Sequence, residues 1–100
     1  MSTTRNSAAK PQTMRIVVAD DDPIVRDVLR HILSQNGGYE VLAEAHDGRQ
    51  AIEAVAKLKP DLLLLDLLMP NLPGLDALRE ITDTDAQLRT IVLTSSITKR

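Results

Sequence analysis

Apolar and polar positions along this chain switch between two periods. RIVVAD, residues 15–20, holds three successive β-branched residues. The run is too short for a helix and reads as a buried strand. Asp22 then precedes Pro23, which pairs an N-cap residue with a first helical residue. From there Ile24, Val25, Val28, Leu29, Ile32 and Leu33 recur at helical spacing, until Gly37 and Gly38 stop the helix. YEVLAEA, residues 39–45, alternates loosely as a second strand. Asp47 caps the next helix, with Gln50 three residues on as in a capping box. The buried stripe of that helix is Ala51, Ile52, Val55 and Leu58, and Pro60 closes it.

DLLLLD, residues 61–66, is apolar on both faces, the pattern of an interior parallel strand covered above and below. Leucine does not favour strands, but six residues between Pro60 and a Pro-Asn-Leu-Pro-Gly loop are too few for a helix. Leu75, Leu78 and Ile81 then mark one face of a third helix over roughly 75–84, and TIVLT, 90–94, is a fourth strand. The order βαβαβαβ predicts an α/β fold with an open parallel sheet.

Composition works by exclusion. One hundred residues with 43% hydrophobic and 26% charged positions suit one globular domain. There is no Cys, so disulfides and thiolate metal sites are ruled out, and His31 and His46 alone do not suggest a His-rich metal centre. A net charge of −2 offers no global positive field for nucleic acid, and Tyr39 is the single aromatic residue, too little for base stacking. No apolar run approaches membrane-spanning length. Residues 1–14, MSTTRNSAAKPQTM, read as a disordered, solvated tail before a domain over 15–100. Arg and Ser in such a leader also fit an organelle transit peptide, but the apolar centre of a signal peptide is missing. The cytoplasm is the expected compartment.

Asp20, Asp21 and Asp22 stand side by side after the first strand. Two like charges 4 Å apart cost about 4 kcal/mol at an effective dielectric near 20, so something must offset them. In open parallel sheets, ligands bind beyond the carboxyl ends of the strands, near the point where strand order reverses. Asp20 and Asp21 end strand one, Asp66 ends strand three, and Thr94 and Ser95 end strand four. An oxygen-rich set without His or Cys suits a hard cation, Mg²⁺ or Mn²⁺, which neutralises the repelling acids. Asp22 belongs instead at the positive end of the helix dipole. The alternative, that all three acids merely cap a helix in solvent, leaves Asp66 and Thr94 at matching strand ends unexplained.

This constellation resembles the receiver domain of two-component response regulators, a flavodoxin-like (CheY-like) fold. The resemblance rests on VVADDDP, PDLLLLDLLMPNLPGLDAL and TIVLTSS and covers about residues 15–98. The wording is most similar to receivers of the NarL/FixJ class, which are usually joined to a helix-turn-helix output domain. The resemblance implies strand order 2-1-3-4 and a phosphoryl group passed from a sensor histidine kinase to Asp66. It implies Mg²⁺ held by Asp21, Asp66 and the backbone carbonyl of Leu68, with Asp20 acting through water. Thr94 is then the hydroxyl that bonds the phosphoryl oxygens, and Ser95 keeps the approach open. Ala19 stands where the family often has a larger apolar residue, a harmless difference. A haloacid-dehalogenase-like phosphohydrolase would need a second acid at Leu68. An EF-hand needs alternating rather than contiguous acids, and nucleotide binding lacks a glycine-rich loop after strand one.

The family pattern continues with a helix, a fifth strand bearing a site Lys and a final helix, whereas this sequence stops at Arg100. Lys99, five residues after Thr94, is not that Lys. A truncated receiver with impaired phosphotransfer, serving as a dimerisation or interaction module, is therefore the alternative function. An uncovered helix footprint of a few hundred Å² forfeits on the order of 10 kcal/mol at about 25 cal/mol per Å². The expected consequence is a homo-oligomer, most simply a dimer, that buries the exposed faces of DLLLLD and TIVLT or pairs the strand-four edge.

Overall fold

The computed structural model describes residues 13–69, 71, 72, 74–85 and 87–93. Seven elements follow in the order β1 (Met14–Ala19), α1 (Pro23–Gln35), β2 (Tyr39–Ala45), α2 (Gly48–Leu58), β3 (Leu62–Asp66), α3 (Gly74–Thr84) and β4 (Arg89–Leu93). All strand pairs are parallel and the sheet order is β2-β1-β3-β4, the order the family resemblance implied.

Right-handed crossovers explain the layering. The step from β1 to β2 runs opposite to the later steps, so α1 lies on one face and α2 and α3 on the other. The pleat divides the sheet accordingly. Val17, Ala19, Leu63 and Leu65 point to α2 and α3 and join Ala51, Val55, Met69 and Ile81 in the larger core. Ile16, Val18, Leu62 and Leu64 point the other way, with Leu29 and Leu33 of α1 packed against them. Every residue of β3 is buried, as its two-faced apolar run predicted.

Local signals behave as their chemistry dictates. Asp22 Oδ1 accepts from Ile24 N at 2.9 Å and caps α1, while Pro23 occupies the first turn. Gly37 and Gly38 follow that helix with φ of +59° and +81°, values that only glycine adopts cheaply. Asp47 Oδ1 accepts from Gln50 N at 2.8 Å. Gln50 Oε1 reaches back to His46 N, one residue beyond the cap, so the box is closed one position early.

Three expectations need correction. Of the expected face of α3, Ile81 is buried and Leu78 packs against the core, but Leu75 is 53% exposed, and Gly74 and Ala77 are buried in its place. The helix is rotated so that its small residues meet the sheet, because Gly74 lies directly against the backbone after Asp66. Leu62 and Leu64 are covered, at 9% and 7% exposure, so β3 has no open face. The exposure falls on β4, the edge strand, where Ile91 and Val92 point to opposite faces and both stand open. On α1 no residue is fully buried, and Ile24, Val28 and Ile32 form an exposed apolar stripe.

Candidate functional site

β1 and β3 are neighbours, and the chain leaves them for opposite sides of the sheet. The crevice beyond their carboxyl ends is thus the switch point of the sheet. Asp20 follows β1 directly and Asp66 is the last residue of β3. Both are buried, at 0% and 1% exposure, while Asp21 is exposed at the rim. Carboxylate oxygens from Asp20, Asp21 and Asp66 lie within 4.8 Å of one another.

The backbone satisfies only half of each buried acid. Asp20 Oδ1 accepts from Asp22 N at 2.9 Å, and Asp66 Oδ1 accepts from Leu68 N at 3.0 Å. Asp20 Oδ2 and Asp66 Oδ2 are buried without any hydrogen-bond partner. A buried, unpaired carboxylate oxygen carries a penalty of several kcal/mol unless a charge meets it. The donor set is all oxygen, and two of its atoms lack partners. That fits a hard divalent cation.

Burial, first of all, pushes the Asp20 carboxyl above its ordinary 3.8, and the nearby charges of Asp66, Asp21 and Asp22 push the same way against the Asp22 N–H bond. Asp47 goes the other way, held below 3.8 by the Gln50 N–H and the Asn71 amide. The two signs produce opposite pH effects. Asp47 stabilises the fold above pH 3.8, and that contribution is lost as pH falls through its lowered folded value. Asp20, being harder to ionise in the fold, favours folding below pH 3.8, an advantage lost as pH rises through its raised folded value. Urea unfolding of metal-stripped protein, upward from pH 3.8, should therefore show a falling contribution that Asp20→Asn removes. An unchanged pH profile in that variant would contradict the assignment.

Of the sequence-derived site residues, the fold brings Asp20, Asp21, Asp66 and the Leu68 backbone to one place. Thr94, Ser95 and Lys99 lie outside the described residues. Asp22 caps α1 as expected and is not in the cluster. The sequence reading missed Arg26. Its Nη1 donates to the backbone carbonyl of Asp20 at 2.7 Å, and its Nε donates to Glu44 Oε1 of β2 at 3.3 Å. Arg30 joins the same group through Glu44 and Asp27. No sequence signal marks Arg26, because a polar residue on an amphipathic helix reads as solvated. The sequence reading also missed the bond from Asn71 Nδ2 to Asp47 Oδ2, 2.7 Å long. Here a signal existed. The Pro-Asn-Leu-Pro-Gly composition marks Asn71 as a residue suited to a left-handed turn position, and its φ is +69°, a value that Asn tolerates better than most residues.

Comparison with known proteins now bears on this geometry. The family model described as response regulator receiver domain matches residues 16–100. The chemotaxis protein CheY of Bacillus subtilis is 44% identical over 78 residues, 78% of this chain and 64% of CheY. The response regulator domain of Thermotoga maritima CheB superposes with a TM-score of 0.78 at 34% identity, over 88% of this chain and 65% of that one. The receiver domain of the response regulator NarL from Mycobacterium tuberculosis gives 0.74 at 36% identity, over 84% and 66%. The chain spans between 24% and 64% of the length of the curated relatives it matches. No helix among the described residues is long and apolar enough to cross a membrane. Sequence, fold and neighbours agree: the chain belongs to the response regulator receiver domain family.

Proposed function

We propose that this chain is a phosphoryl-accepting receiver module that takes a phosphoryl group from a sensor histidine kinase onto Asp66 with the help of Mg²⁺. The observation that carries the reading is the pair of unpartnered buried oxygens, Asp20 Oδ2 and Asp66 Oδ2, within an acidic cluster at the switch point. Asp21, Asp66 and the Leu68 carbonyl would hold the ion, with Asp20 acting through water. When bound there, the ion would neutralise charge on the transferring oxygens. The residues of the chain supply the rest. Asp66 Oδ1 is fixed by Leu68 N, which leaves Oδ2 as the nucleophile. Attack forms an Oδ2–phosphorus bond while the bond to the donor nitrogen of the kinase histidine breaks and that nitrogen leaves with the electron pair. Positioning and charge stabilisation carry most of such a transfer. Thr94 is the proposed hydroxyl donor to the phosphoryl oxygens.

The same reading places the chain in the cytoplasm, with the tail expected over 1–14 corrected at its end, since Met14 already pairs with Tyr39 as the first residue of β1. Control of transcription through an output domain would follow from the NarL-like resemblance. A second copy meeting the first along β4 is favoured by exposed Ile91 and Val92 at the sheet edge. The metal step is tested by titrating Mg²⁺ into the labelled chain and following backbone NMR shifts. Millimolar Mg²⁺ should move Asp20–Asp22 and Asp66–Leu68 selectively. Unchanged spectra up to tens of millimolar (roughly the ceiling for an ion that dehydrates reluctantly) would remove the metal from the mechanism.

A further inference from the structure

The segment between β3 and α3 carries Leu68, whose N–H already meets Asp66, so its path decides where the Leu68 carbonyl stands. Three contacts pin that segment. Gly74 N donates to Leu67 O at 2.8 Å and closes its far end. The Leu72 backbone rests on Gly48, the first residue of α2, where an added Cβ would lie 2.3 Å from Leu72 O. Asn71 Nδ2 donates to Asp47 Oδ2 at 2.7 Å.

Asp47 therefore has two separate tasks, one per oxygen. Oδ1 caps α2 through Gln50 N at 2.8 Å. Capping needs a single oxygen, and Ser serves about as well as Asp. The second oxygen faces the segment from β3, 24 residues away in sequence, and makes a charge-assisted bond of the stronger kind. Asp47 is itself buried at 8% exposure while Asn71 is exposed, so the bond is part-buried at the surface of the β3–α3 segment.

We infer that Asp47 and Asn71 are positioning residues for the cation site: their bond fixes the β3–α3 segment and so holds the Leu68 backbone beside the Asp66 carboxylate. The inference rests on the Mg²⁺ reading above. Neither residue touches the ion. They act through the backbone, as the supporting partners of metal ligands commonly do, and loss of such partners typically costs about 10–100-fold in affinity.

Two substitutions separate this role from stability. Asn71→Gly keeps the left-handed backbone and removes the amide. Asp47→Ser keeps the α2 cap and removes the second oxygen. Each should weaken Mg²⁺ binding to the 100-residue chain about tenfold by NMR titration. The double variant should bind no more weakly than either single one, since both delete the same bond. A purely structural role would lower the thermal midpoint and leave the affinity of the folded protein within twofold of wild type. That outcome, or losses that multiply in the double variant, overturns the inference. If Asp47→Ser does not fold, Asn71→Gly decides alone, because its helix cap is intact. A wild-type chain that binds no Mg²⁺ overturns the metal reading itself, and this inference with it.

Discussion

Asp66→Asn should accept no phosphoryl group from acetyl phosphate and form no beryllofluoride adduct, yet should be more stable than wild type in metal-free buffer. Both effects have one cause. Asn keeps the oxygen that accepts from Leu68 N at 3.0 Å, so the local hydrogen bond survives. The substitution removes the anionic Oδ2, which is buried without a partner beside Asp20. The nucleophile is lost with that atom, and removing a nucleophile elsewhere has lowered rates by about 10⁶-fold. The repulsion is lost as well. Carboxylates within 4.8 Å repel by roughly 3 kcal/mol at an effective dielectric of 20, so a gain of about 1–3 kcal/mol is expected in EDTA. Intact-mass measurement after acetyl phosphate and Mg²⁺ reads the first effect, and urea unfolding reads the second. Modification at wild-type rate would place the acceptor elsewhere. A less stable variant would mean that the acids are satisfied in some other way.

Gly74→Ala should be strongly destabilising. An ideal Cβ at Gly74 would stand 2.3 Å from Asp66 O and 2.4 Å from Leu67 Cα. Both are backbone atoms, and Asp66 lies at the end of a fully buried strand, so no side-chain rotation relieves the overlap. Either α3 or the end of β3 must shift. Overpacking typically costs about 1–3 kcal/mol and more where backbone must move, so about 3 kcal/mol or more is expected. That is a large share of the roughly 5–15 kcal/mol holding an ordinary domain together. At about 4–8 °C per kcal/mol for a domain of this size, the thermal midpoint should fall by more than 10 °C. Gly37→Ala is the control. Nothing lies within 4 Å of a Cβ there, and the only penalty is its φ of +59°, a cost of about 1–2 kcal/mol. Circular dichroism melts of the two variants give the comparison. A midpoint for Gly74→Ala at or above that of Gly37→Ala would refute the packing argument.

Asp66 was legible as a site residue because acids and hydroxyls recur at strand ends in a parallel α/β pattern, and strand ends converge on one rim. Asp20 and Asp21 were legible for the same reason. Gly74 was visible only as the end of a loop. That its missing Cβ is what lets α3 approach β3 depends on an interatomic distance, and no spacing along the chain encodes one.

By itself the sequence determined the seven elements, their parallel arrangement and both helix caps. These follow from local chemistry: apolar period, the fixed φ of Pro23, the conformational freedom of Gly37 and Gly38, and the short acceptor side chains of Asp22 and Asp47. Amphipathic period says that a helix has an apolar face but not how that face is rotated. The tertiary structure therefore decided that α3 turns Leu75 outward and Ala77 inward, and that half of the α1 stripe stays exposed. It decided as well that the open positions fall on β4, at Ile91 and Val92. It alone brought Arg26 to the Asp20 carbonyl and Asn71 to Asp47. Such contacts join residues on different elements, and their existence depends on crossing angles and loop paths set by the packing of the whole core. Local propensity places an element; only the packed chain places an atom of one element against an atom of another.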